Sequence, residues 1–181
     1  MNRRSFVSAA LAAVALLGAC STPGVKLDAP YVSTPDSVVA EMLRLAAVRP
    51  GDMVYDLGCG DGRIVIAAAK DFGARGVGID IDPARIAAAN AAARRAGVSE
   101  RVRFTVQDLF QTDFSEASVV ALYLYPEINA KLLPKFLSEL RPGTRIVSHQ
   151  FGIADWRPQE SARLWVGTLD HWVHLWVVPE R

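Results

Sequence analysis

The chain has 181 residues and a formal net charge of +1. That length holds one domain with a full core, and the near-neutral balance excludes the basic footprint expected of a nucleic-acid binder, DNA included. No His/Cys/Asp cluster has metal-ligand spacing, and no run beyond the N-terminal leader is long and apolar enough to cross a membrane.

The leader comes first in chain order. Arg3 and Arg4 form a positive n-region, and Phe6 to Leu17 is an apolar h-region too short for a spanning helix. Leu17-Gly18-Ala19-Cys20 places small residues directly before a lone cysteine. Residues 1–19 therefore resemble a bacterial lipoprotein signal, with Cys20 lipidated as the first mature residue. Arg3-Arg4-Ser5-Phe6-Val7 also resembles a twin-arginine export signal, a route for folded proteins. Loss of the leader takes both arginines with it, so formal charge moves from +1 to −1. With Cys20 lipidated, Cys59 is left alone and no internal disulfide can form. The expected location is a membrane-anchored lipoprotein facing the periplasm. A fortuitous apolar N-terminus on a cytoplasmic protein is the alternative.

Residues 20–33 read as a short polar tether, and residues 34–181 as the domain. Thr34-Pro35-Asp36 gives a helix start: hydroxyl N-cap, proline at N1, acid in the first turn. That helix is expected to run to about Val48. Met53 to Leu57 is strand one, Asp61 to Asp71 a helix closed by Gly73, and Gly76 to Asp80 strand two. Asp82-Pro83 caps a helix ending at Gly97. Val102 to Val106 is strand three and Ser118 to Tyr123 strand four. The helix after Pro126 carries a stripe of Leu133, Phe136, Leu137 and Leu140. Thr144 to Ser148 is strand five, and Ala162 to Gly167 with Trp172 to Val178 a terminal antiparallel hairpin. Strands alternating with helices imply an α/β fold with a mainly parallel sheet. On such a sheet, ligands bind beyond the carboxyl ends of the strands.

Asp56-Leu57-Gly58-Cys59-Gly60-Asp61-Gly62 lies at such an end. Alternating glycines between a strand and a helix let the backbone turn sharply and approach a ligand. Asp56 and Asp61 would repel a pyrophosphate. They favour a cationic ligand with free hydroxyls, a description that S-adenosylmethionine fits. Asp80 closes strand two, where a carboxylate grips ribose hydroxyls; a single ionised carboxylate accepts from both. Asp82 suits the helix cap better, which leaves Asp80 for the ligand. Asp108, after strand three, is placed to accept the adenine amine, with Leu109 or Phe110 near the ring. Asp56 either supports the turn or takes up the ligand's ammonium.

Together these strand ends resemble the class I S-adenosylmethionine-dependent methyltransferases. The resemblance covers about Tyr31 to Val178. It implies a Rossmann-like seven-strand sheet in the order 3-2-1-4-5-7-6, with helices on both faces. The usual helix between strands five and six has no counterpart in Phe151 to Ser161. A narrower resemblance rests on Pro30-Tyr31-Val32-Ser33-Thr34-Pro35, Asp56 to Ile64, and Gly143 to His149. These segments are similar to the compact protein-lysine methyltransferases, which include a broad-specificity archaeal enzyme and mitochondrial relatives. By that match Tyr31 and Thr34 close the cofactor site, alongside Gly58 and Gly60. Ser33 stands where the family often has proline.

The resemblance implies methyl transfer to a neutral amine, with protein lysine as acceptor. Leu122-Tyr123-Leu124-Tyr125-Pro126 lacks the Asn/Asp-Pro-Pro-aromatic signature that holds planar amino groups of bases or glutamine. Tyr123 and Tyr125 are candidates for an aromatic acceptor channel, with Tyr125, nearer the strand end, as the favoured catalytic residue. His149, at the end of strand five, is a candidate proton relay or a structural histidine. Trp156 is a candidate pocket wall. Methylation of a small molecule or of RNA remains open, as does a lipid-anchored adenosyl-binding protein without turnover. The cofactor is made in the cytoplasm, so an exported enzyme would need its own supply.

Overall fold

A computed structural model describes residues 32–181. The leader, Cys20, most of the tether and Tyr31 lie outside the described residues. The elements run α1 (Asp36–Leu45), β1 (Met53–Leu57), α2 (Arg63–Asp71), β2 (Arg75–Asp80), α3 (Pro83–Ala96), β3 (Val102–Val106), β4 (Val119–Leu122), α4 (Pro126–Glu139), β5 (Arg145–His149), β6 (Glu160–Val166) and β7 (Leu169–Val177). One seven-stranded sheet has the order β3-β2-β1-β4-β5-β7-β6. The first five strands are parallel, and β7 returns antiparallel to both β5 and β6. The order is the one that the resemblance to class I methyltransferases implies.

Alternation along the strands divides the core into two layers. Val54, Val119, Ala121 and Val147 face α1, where they meet Val38, Met42 and Leu43. Tyr55, Val120, Leu122 and Ile146 face α4 and pack on Leu132, Phe136 and Leu140. Each of these wholly buried side chains, on α4 or at its C-cap, contributes about 1.5–3 kcal/mol. The α4 stripe is therefore Ile128, Leu132, Phe136 and Leu140, whereas the expected Leu137 is 41% exposed. Val65, Ala69, Ile86, Ala89 and Phe104 form a third cluster between α2, α3 and β3.

The two ends of the sheet are built differently. At the amino ends of β1 and β5, Asp52 accepts from Arg145 Nη2 at 2.5 Å and from the Ser118 hydroxyl at 2.7 Å. Arg145 also donates to the Ala46 and Ala47 carbonyls that end α1. At the carboxyl edge the strands stop in register, with Leu57 beside Ile79 and Leu122, and Asp80 beside Val106. That edge carries the loops that make the site. Residues 150–159 form turns and one bridge, Ile153 to Trp156, rather than a helix.

Two helix starts differ from expectation, and α1 ends at Leu45 rather than near Val48. Thr34 is not a helix cap: α1 begins at Asp36 behind Pro35, with no side-chain cap. Its first turn is satisfied by the Pro35 carbonyl, which accepts from Val38 and Val39, leaving the Thr34 hydroxyl free for a long-range partner. The helix after the glycine loop starts at Arg63, not Asp61, because Gly62 holds a left-handed conformation at φ 78°. A Cβ at Gly62 would come within 2.6 Å of the Phe104 ring, so both conformation and space require glycine there.

Candidate active site

The glycine turn is held by the strand beside it. Gly58 N–H and Cys59 N–H both donate to the Ile79 carbonyl at 2.8 Å, and Gly62 N–H donates to the Cys59 carbonyl. Asp80 braces the turn from the end of β2. One of its carboxylate oxygens accepts from Gly60 N–H at 2.9 Å and the other from Asp82 N–H at 3.0 Å. A carboxylate has about four lone-pair sites, so Asp80 keeps one on each oxygen for a diol. Asp82 does cap α3, accepting from Ala84 N–H at 2.8 Å. Asp82 rather than Asp80 is thus the helix cap, as expected from sequence.

A cavity lies over this edge. Its lining gathers Thr34, Asp56, Gly58, Gly60, Asp80 and Asp108 from distant segments of the chain. Those are the expected cofactor residues other than Tyr31, which lies outside the described residues. Leu109, not Phe110, is the apolar neighbour of Asp108 in the lining. Asp108 itself accepts from Phe110 N–H at 2.9 Å, which fixes the turn after β3.

The acids are not equivalent. Asp61 is paired with Arg63, 2.6 Å between Oδ2 and Nη2, so its charge is largely met within the turn. Asp56 is buried at 3% exposure. Burial first, then the Asp80 and Asp61 charges, pushes its carboxyl up to about 8 from an ordinary 3.8. Among the described residues no donor relieves it. A buried acid facing the cavity without a donor suits a ligand that brings positive charge. Cys59 lines the same wall; burial keeps its thiol protonated.

Tyr123, not Tyr125, reaches the cavity lining. Tyr125 ends up at the start of α4, 41% exposed. Strand β4 stops at Leu122; Tyr123 and Leu124, just beyond it, both line the cavity, and Tyr125 does not. Burial, then neighbouring Tyr125, raises the Tyr123 hydroxyl above its usual value, so it stays a neutral phenol.

His149 is not at the rim. It is wholly buried, with Nδ1 3.1 Å from the Thr34 hydroxyl and Nε2 2.8 Å from His171 Nδ1. Burial, then His171, lowers it to about 4, so it is neutral at pH 7. Thr34 is fixed twice, since Arg63 Nη1 also donates to its carbonyl at 2.8 Å. Trp156 is no wall either; its carbonyl accepts the indole N–H of Trp176 at 2.8 Å, against the core.

Sequence reasoning missed Ile81, Leu124, Ile128 and Arg85 in the lining. Ile81 carried a signal: an apolar side chain directly after the strand-end acid, 41% exposed. Among the described residues no group of three or more His, Cys, Asp or Glu is placed to hold a metal ion.

Residues 56–160 match the ANTKMT methyltransferase domain family. A protein-lysine N-methyltransferase of Saccharolobus islandicus (strain REY15A) is 47% identical over 152 residues, 83% of this chain and 94% of that protein. An adenine nucleotide translocase lysine N-methyltransferase of Mus musculus is 36% identical over 134 residues, 74% of this chain but 58% of its own length. A solved structure of an RNA methyltransferase from Salinibacter ruber, in complex with S-adenosyl-L-homocysteine, has a TM-score of 0.79 at 49% identity. It covers 83% of this chain and 95% of its own.

Proposed function

The chain belongs to the ANTKMT methyltransferase family, and from that premise we propose that it N-methylates lysine side chains of a protein. It is an S-adenosylmethionine-dependent methyltransferase. The bound cofactor supplies an electrophilic methyl group for in-line displacement. The observation that carries the lysine reading is the similarity to the Saccharolobus islandicus enzyme over 94% of its length.

The residues divide the work as follows. Asp80 accepts the ribose hydroxyls while its other lone pairs keep Gly60 and Asp82 in place. Asp108 and Leu109 receive the adenine, and Asp56 the ammonium. Gly58 and Gly60 let the backbone come close, Thr34 covers the site, and the resemblance gives Tyr31 the same role. Tyr123 borders the place where the acceptor amine arrives. The amine must be neutral to react, and among the cavity's side chains Asp56 is fully enclosed; solvent at the mouth takes the proton. His149 acts through Thr34 and Tyr123, not as a base.

A second reading, RNA as acceptor, is favoured by the Salinibacter ruber structure. The absent Asn/Asp-Pro-Pro-aromatic signature and the near-neutral charge speak against it. The experiment is methyl transfer from labelled cofactor to a lysine-rich histone mixture and, separately, to total RNA. Methyl-lysine in the acid hydrolysate supports the proposal. Label in RNA alone overturns it.

We further propose anchoring through lipidated Cys20, on the strength of the Leu17-Gly18-Ala19-Cys20 pattern. Cys20→Ser should move the protein from the membrane fraction to the soluble one. Wild type already soluble in the cytoplasm would overturn this.

A further inference from the structure

A run of rings leads from the buried histidine pair to Tyr123 in the cavity lining, and from Tyr123 on to Phe151 and exposed Tyr125. His171 and His149 centroids are 5.0 Å apart, and His149 lies 3.9 Å from Tyr123. Tyr123 is 6.2 Å from Phe151 at an interplanar angle of 18°, and Phe151 is 5.9 Å from Tyr125. Phe151 is thus the ring shared by the two tyrosines. It comes from the segment that replaces a helix after β5, where periodicity gave no reason to single it out.

The backbone fixes where Phe151 goes. Gln150 holds a left-handed conformation at φ 67°, which a residue with a Cβ adopts at a cost. It is pinned there by Trp172, whose carbonyl accepts from Gln150 N–H at 2.7 Å and whose N–H donates to Gln150 Oε1 at 3.2 Å. Phe151 N–H then turns back onto the His149 carbonyl at 2.8 Å. Strained backbone of this kind persists where the surroundings enforce it, commonly at ligand sites.

We propose that Phe151 completes, with Tyr123 and Tyr125, a three-ring wall that receives the acceptor's alkylammonium group and retains its methylated forms for further rounds. This rests on the lysine reading above. In each round the ammonium first loses a proton to solvent. The nitrogen lone pair then forms the N–C bond as the C–S bond breaks, and the C–S electron pair stays on sulfur. The product is again an ammonium, larger and less hydrated than before. Ring faces attract such a cation more as its shell of water is lost. His149 stands behind Tyr123 as a positioning residue. Being neutral at pH 7, it sets no charge against a cation on the far face of the ring.

The test compares full-length wild type, Phe151→Leu and Phe151→Tyr on a lysine-rich histone mixture, with mono-, di- and trimethyl-lysine quantified in the hydrolysate. Affinity for S-adenosylmethionine is measured alongside by calorimetry. Leu keeps the apolar volume but removes the ring. The expected result is a fall of about 2- to 30-fold in the ratio of higher to monomethyl product, with cofactor affinity unchanged and the ratio restored in Phe151→Tyr. An unchanged ratio in Phe151→Leu, or wild type that stops at monomethyl-lysine, overturns the inference while leaving lysine methylation intact. Transfer by wild type to no lysine at all removes both.

Discussion

Asp56→Asn should erase a pH dependence that the wild-type cofactor site cannot avoid. The Asp56 carboxyl titrates at about 8 because burial and the nearby Asp80 and Asp61 charges oppose its ionisation. At pH 7 ionising it costs about 1.4 kcal/mol, and at pH 6 about 2.7 kcal/mol. A cationic ligand seated against it needs the carboxylate. Affinity for S-adenosylmethionine should therefore rise about tenfold per pH unit from pH 6 toward 8, with close to one proton released on binding. Titration calorimetry in two buffers of different ionisation heat counts that proton. The ligand's own α-amino group loses its proton near pH 8, so Asp56→Asn supplies the reference curve: flat below pH 7, with no proton released. Stability of the empty protein follows the same linkage. The folded state keeps a proton that the unfolded state gives up near 3.8. The group's contribution is therefore greatest below pH 4 and is lost as pH rises to 8, by on the order of 5 kcal/mol. Wild type that binds equally well at pH 6 and pH 8 without proton release would refute this role for Asp56.

Asp80→Ala removes the acceptor of Gly60 N–H and of the ribose together. It should weaken cofactor binding by about 1–3 kcal/mol, and unchanged calorimetric affinity would exclude the proposed grip. Arg145→Met leaves buried Asp52 without its cation and the Ala46 and Ala47 carbonyls, just past α1, without a donor. Urea unfolding should show a loss of about 3–5 kcal/mol, partly recovered when Asp52→Asn is added; a loss under about 1 kcal/mol would show the pair to be incidental. Thr34→Val deletes the hydroxyl that meets His149 while keeping the shape. It should cost about 1–3 kcal/mol of stability and raise the KM for cofactor more than it lowers kcat. Equal loss in both would place Thr34 in the chemical step instead.

Elements set by local periodicity and caps could be read in advance. Strands β1 and β3 begin and end where their apolar runs do, and Asp82-Pro83 with Gly97 bounds α3 as such residues should. The acids that line the cavity were legible for the same reason: Asp56, Asp80 and Asp108 each lie at or just after the end of a strand whose end could be found. Long-range pairing was not legible. Thr34 looks like a helix cap because Thr-Pro-Asp is a capping pattern, yet its partner is 115 residues away on β5. His149 looks like a rim residue until antiparallel β7 brings His171 beside it. Asp61 reads as a free acid because nothing in the spacing says that Arg63 will fold back onto it. Phe151 lies in a segment without period, so only the fold could bring it between two tyrosines.

The most direct test is a crystal structure of the protein with S-adenosyl-L-homocysteine. The ribose hydroxyls should lie within hydrogen-bonding distance of Asp80, the adenine beside Asp108 and Leu109, and the sulfur turned toward Tyr123 and the Phe151 wall. A ligand whose ribose lies away from Asp80, or whose sulfur faces away from Tyr123, would contradict the proposed site.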